Sequence, residues 1–130
     1  MKPSIRISTY LWSAILLLGG IMHFVSPEFY DPFIPRWIPK VLANYGAAVG
    51  EILLGIGLLI PYYNRRVAWG LVGLMIIFLP IHIWDIFREN PAIGSRVAAI
   101  IRAPIQVGLI VWAYWLAKQL SAINPKEAMN

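Results

Sequence analysis

The sequence predicts an all-α, polytopic membrane protein, a compact four-transmembrane-helix bundle that forms a single membrane domain over residues 1–130. Three observations carry that prediction. The chain is 59% hydrophobic and only 13% charged, well below the roughly one-quarter charge of ordinary soluble domains. A domain this small buries the smallest share of its area on folding, so lipid has to solvate much of the apolar surface. Four apolar runs, at about residues 7–25, 43–60, 67–87 and 96–117, each approach the roughly 20 residues that cross a hydrocarbon core of about 30 Å. Such spans must be helices, because isolated strands would leave backbone groups unpaired in lipid.

The first run follows Lys2 and Arg6, as the core of a signal peptide would. No small-x-small cleavage site comes directly after it, and His23, Phe24 and Val25 continue the apolar run, so it is expected to be retained. Residues 26–42 form a stiff outer loop in which Pro27, Pro32, Pro35 and Pro39 are expected to exclude regular helix. Phe29, Tyr30, Phe33 and Trp37 in that loop suit the head-group level. In the second run, Gly46 and Gly50 are a small-xxx-small pair, expected to let another helix approach near Glu51.

Residues 61–66 make a tight polar turn. Pro80 in the third run and Pro104 in the fourth each remove a helix hydrogen bond, freeing carbonyls one turn earlier at Ile76 and Ile100. Asn90 before Pro91 reads as an N-cap followed by a first-turn proline. The tail after Lys118 is polar and expected to fray.

An even number of spans puts both termini on one side. That side carries Lys2, Arg6, Arg65, Arg66, Lys118 and Lys126, against Arg36, Lys40, Arg88 and Arg96 on the other, which favours cytoplasmic termini. The net charge of +5 comes from basic residues scattered at helix ends. That pattern suits topology and anionic head groups, and no basic cluster suggests a nucleic-acid partner. With no cysteine, the chain has neither disulfide nor thiol nucleophile, so a redox role would need a bound cofactor or a partner.

Ionisable groups inside a membrane are costly and mark functional candidates. Here they are His23, Glu51, His82, Asp85 and Arg102, with the amide of Gln106 beside them. Glu51 lies about 12 Å into the second span at 1.5 Å per residue. By the same count all six fall in the half of the bilayer next to the proline-rich loop. His82 and Asp85 share a helix face, as do Arg102 and Gln106, so a polar pocket opening to the outer side is expected. Glu51 and Arg102, at similar depth, are expected to pair.

Structural roles compete with this reading. A Glu–Arg pair can simply lock the second span to the fourth. His23 can be an interfacial hydrogen-bonded histidine, and Asp85 can be solvated at the membrane edge. Trp12, Trp69, Trp84, Trp112 and Trp115 suit packing and interfacial anchoring better than a stack for a ring ligand. The histidines and carboxylates lack tight metal-ligand spacing and have an arginine nearby, so no metal site is expected.

Several segments resemble the DoxX-type membrane proteins. Gly20-Ile-Met-His-Phe24 with Pro27 and the Pro32–Pro39 stretch is similar to that family's first helix and loop. Glu51-Ile-Leu-Leu-Gly-Ile-Gly-Leu-Leu-Ile-Pro61, with Arg65 or Arg66 and Ala68, resembles its second helix and turn. Leu79-Pro80-Ile-His82 stands where the family often has Pro-Ala-Asn, and Arg102-Ala-Pro104-Ile-Gln106 resembles the start of its fourth helix. The resemblance implies a bacterial inner-membrane protein. Relatives are associated with thiosulfate:quinone oxidoreductase and with complexes containing superoxide dismutase and a sulfurtransferase.

On that basis the expected ligand is a quinone or another small lipophilic molecule, bound by the six polar residues. The expected partners are the lipid bilayer and a redox or sulfur-metabolism protein, and a homo-oligomer is compatible with the pattern. Any chemistry would be that of a subunit of a membrane oxidoreductase. The lack of cysteine argues against a thiol relay. The alternative is a scaffold or assembly protein, like the distant acetylcholine-receptor chaperone, whose polar cluster only fixes the bundle.

Overall fold

The computed structural model describes residues 1–123. Over these it is all-helical, with α1 Pro3–Val25, α2 Pro27–Tyr30, a 3-10 turn Asp31–Phe33, α3 Lys40–Leu59, α4 Asn64–Ile86 and α5 Arg96–Ala122. Helices α1, α3, α4 and α5 are long and apolar enough to cross a membrane, at roughly 30 to 40 Å each. Lys126, counted above for orientation, and the part of the tail beyond residue 123 lie outside the described residues.

The ends of the helices follow from local chemistry. Proline is tolerated in a first turn, where its missing N–H has no partner to lose. Pro3 therefore opens α1, and the proline-rich loop holds two short helical pieces with Pro27 and Pro32 in their first turns. The loop is thus partly helical, contrary to expectation. Helix α3 starts directly after Pro39, whose carbonyl accepts the Ala43 N–H at 3.0 Å. Helix α5 is capped by Ser95 and not by Asn90: the Ser95 hydroxyl accepts the Ala98 N–H at 3.1 Å. Pro91 stays in the preceding loop, which turns at Gly94 with φ +111°. Past Lys118 the helix continues to Ala122 without fraying, because Leu120 is buried in the core and Trp69 Nε1 donates to Ser121 Oγ at 3.1 Å.

Helices α1 and α3 pack as one pair and α4 and α5 as another, with thinner contact between the pairs. Gly20 sets the close approach of the first pair, since a Cβ there would lie 3.0 Å from the Ala48 carbonyl oxygen. Ser13 Oγ adds a hydrogen bond to the Gly55 carbonyl at 2.7 Å. The expected Gly46–Gly50 contact is not made, as neither glycine has a neighbour within 4 Å of a would-be Cβ. The small residues that matter lie on the other face of α3.

The core fills the half of the bundle nearest the N-terminus with Trp12, Leu16, Leu58, Leu71, Met75 and Leu116 among others. Trp12 and Trp112 pack with ring centroids 4.7 Å apart, and Trp112 Nε1 donates to Ser8 Oγ at 3.2 Å. These tryptophans are packing residues. His23, Glu51, His82 and Arg102 lie in the opposite half, under the proline-rich loop.

Candidate functional site

One wall of the site is built by α1 and α3. His23 sits in the last turn of α1, and Asn44 and Glu51 lie two turns apart on one face of α3. The Asn44 side-chain N–H donates to Asp31 Oδ1 at 2.9 Å, which leaves its oxygen to accept from His23 Nδ1, also at 2.9 Å. His23 therefore turns Nε2 toward Glu51 Oε1, 3.6 Å away. At that distance the two groups face each other without a hydrogen bond. Gly19 makes room for the carboxylate: a Cβ at that position would lie 2.5 Å from Glu51 Oε2. The Tyr30 ring stacks on His23 at 3.6 Å. Burial and then the neighbouring Glu51 push the Tyr30 phenol above its ordinary pKa, so it stays a hydrogen-bond donor.

The facing wall comes from α4 and α5. Arg102 Nη2 approaches His82 Nε2 at 3.5 Å, and the guanidinium carbon lies 4.4 Å from the centre of the Phe33 ring. Arginine can only donate, so His82 Nε2 accepts and its proton belongs on Nδ1. Among the described residues, Arg102 Nη1 and His82 Nδ1 are buried without a hydrogen-bond partner. The expected Glu51–Arg102 ion pair is not formed. Among the described residues the acid–base contacts are His23–Glu51 and Asp85–Arg88, and Arg102 has no carboxylate within 4.0 Å. Similar depth did not bring the two together, because they stand on opposite walls.

Between the walls lies a cavity of about 460 Å³. Phe29, Phe33, Ile34, Ala43, Ala47, Phe78, Ile81 and Ile93 give it apolar sides, and His23, Tyr30, Glu51, His82 and Arg102 supply the polar groups. His23, Glu51 and His82 are only 7%, 7% and 8% exposed. Four of the six expected site residues therefore meet in one cavity.

The other two do not line it. Asp85 is neither solvated nor in the cavity: it is buried and accepts the backbone N–H groups of Ala92 at 2.6 Å and Ile93 at 3.4 Å. It staples the loop before α5 to the end of α4. Gln106 donates to the Met75 carbonyl at 2.8 Å, next to the Ile76 carbonyl that Pro80 was expected to free. It serves the α4–α5 contact. Asn44, Tyr30 and Phe33 were missed. Asn44 carried a usable signal, a polar residue seven positions before Glu51 and so on the same helix face. The two aromatic residues carried none beyond their place in the loop.

Residues 12–117 match the family model described as "Domain of unknown function (DUF8561)", and the chain belongs to that family. No curated protein and no solved structure matches it.

Proposed function

We propose that this DUF8561 member is a DoxX-like, redox-associated subunit of a bacterial inner membrane, with cytoplasmic termini, that holds a quinone or another small lipophilic molecule between its helix pairs. The observation that carries this reading is the cavity itself. Its volume of about 460 Å³ lies in the range of small-molecule sites, which are mostly apolar with a few convergent polar groups. A quinone ring has carbonyl oxygens on opposite edges. The cavity has donors on opposite walls, Tyr30 and the His23–Glu51 pair on one, His82 and Arg102 on the other. Phe29, Phe33 and Phe78 offer flat apolar surface to the ring. A bound quinone would supply the electron chemistry that the side chains lack. The protein's own groups would orient it, exclude water and hold protons beside its oxygens. The positive-inside asymmetry of the lysines and arginines favours the orientation that puts this cavity in the outer leaflet.

The scaffold reading draws its main support from a Glu–Arg lock between spans, and Glu51 and Arg102 do not form one. The test is to purify the full chain in mild detergent, extract it, and titrate it with a short-tailed quinone while following tryptophan fluorescence. Saturable quenching and a co-extracted quinone are expected. Both should be lost in Ala47→Phe, which fills the cavity and leaves every polar group in place. Recovery of bulk phospholipid alone, with no saturable quenching, would refute the proposal.

A further inference from the structure

The guanidinium in the cavity lining has no carboxylate partner among the described residues, and that narrows the ligand. On the α1–α3 wall, the His23 Nδ1 proton is committed to Asn44, and Glu51 Oε1 faces His23 Nε2 at 3.6 Å, so this carboxylate stands beside an imidazole and not beside the guanidinium. On the facing wall, His82 accepts from Arg102 and is neutral, whereas the guanidinium keeps its charge. Two further carboxylates on this side are engaged elsewhere. Asp85 is held by Arg88 and by two backbone N–H groups, and Asp31 accepts from Asn44. Among the described residues, Arg102 is left with the face of Phe33 and an unpartnered Nη1. It thus has no carboxylate within 4.0 Å among the described residues. A half-buried guanidinium with no carboxylate beside it favours an anionic partner.

We infer that the molecule held in this cavity is a lipophilic monoanion, its oxyanion facing Arg102 and His82 and its apolar body lying along Phe29, Phe78 and Ile81. The inference rests on the reading that the cavity binds a lipophile, and it adds the charge. A planar guanidinium suits carboxylate, phenolate and phosphate oxygens, to which it can donate in pairs. Three sources share that chemistry: a fatty acid, a quinone bearing an ionised ring hydroxyl, and an anionic lipid head group.

The experiment measures calorimetric binding of matched pairs to the purified full chain, at a pH where the acids are ionised. Decanoate is compared with decanol, an alkylated hydroxynaphthoquinone with its methyl ether, and phosphatidylglycerol with phosphatidylcholine in mixed micelles. At least one anion should bind about tenfold or more tightly than its neutral partner, and the pair with the largest ratio identifies the source. Arg102→Met should remove the preference while keeping affinity for the neutral partner. Arg102→Lys should retain a good part of the preference, which separates charge from folding. Equal binding of anion and neutral partner, or a preference that survives Arg102→Met, would overturn the inference and leave the cavity reading standing. Binding of neither member of any pair would overturn both.

Discussion

Adjacent glycines in α1 should respond to the same substitution in opposite ways, because they touch different parts of α3. At Gly20, a new methyl group would lie 2.7 Å from Ile52 Cγ1, 3.0 Å from the Ala48 carbonyl oxygen and 3.2 Å from the Ile52 backbone nitrogen. Two of those neighbours are main chain and cannot swing aside, so α1 and α3 must separate. Overpacking of this kind costs about 1 to 3 kcal/mol, and alanine returns about 0.5 to 1 kcal/mol of backbone entropy. Gly20→Ala should therefore lose up to about 2.5 kcal/mol, with about 1 kcal/mol the central expectation.

At Gly19 the methyl group would meet Glu51 Oε2 at 2.5 Å, the far end of a flexible side chain. Gly19→Ala should hold stability within about 0.5 kcal/mol, yet displace the carboxylate from His23 and weaken ligand binding. Gly50 has nothing within 4 Å, so Gly50→Ala should gain up to about 1 kcal/mol with binding unchanged. Titration from mild detergent into dodecyl sulfate, followed by circular dichroism, orders the three variants, and the quinone titration supplies the binding arm. If Gly20→Ala proves as stable as Gly50→Ala, the close packing of α1 on α3 described above is wrong.

Two corrections to the sequence reading can be checked in the same way. Asp85→Ala removes acceptors from the Ala92 and Ile93 N–H groups and from Arg88. It should cost about 2 to 4 kcal/mol and speed amide exchange across residues 87–95, and a loss under about 0.5 kcal/mol would rule out the staple role. Gln106→Leu leaves the Met75 carbonyl without its donor. It should cost about 1 kcal/mol and leave ligand affinity unchanged, whereas a drop in affinity at normal stability would return Gln106 to the site.

Level along the bundle was legible in the sequence, and direction was not. A helix rises a fixed 1.5 Å per residue, so His23, Glu51, His82 and Arg102 could be placed in one half of the bundle by counting from the span ends. Whether two such residues meet depends on how each helix is rotated and which helix it packs against. No count supplies that, and for this reason Glu51 and Arg102 share a level and not a contact. The same limit explains Asp85. Three positions from His82 it shares a broad face, but in the last turn of α4 the unpaired N–H groups of the next loop reach it first. Gly46 and Gly50 satisfied a spacing rule on the face of α3 that no helix covers. The proline-rich loop hid its short helices because proline forbids the interior of a helix and favours its first turn, and spacing alone does not tell these apart.

The division of the bundle into an apolar half and a polar half bears on why a site sits where it does. In the apolar half the two helix pairs are joined by core packing, as between Trp12 and Trp112 or through Leu58, Leu71 and Leu116. In the polar half the pairs stand apart around the cavity, and the joints between them are made by the loop. Arg88 donates to the Pro32 carbonyl at 2.6 Å, and Phe33 covers Arg102. A molecule bound there touches both pairs, so it replaces packing that the chain itself does not provide. Its binding must then stabilise the folded bundle by mass action, by about 2.7 kcal/mol at a hundredfold excess over Kd. A polar cluster serving only as a structural lock would need no such supplement, because its members would already satisfy one another. Arg102 and His82 do not: each keeps a buried nitrogen that no group of the described chain has met.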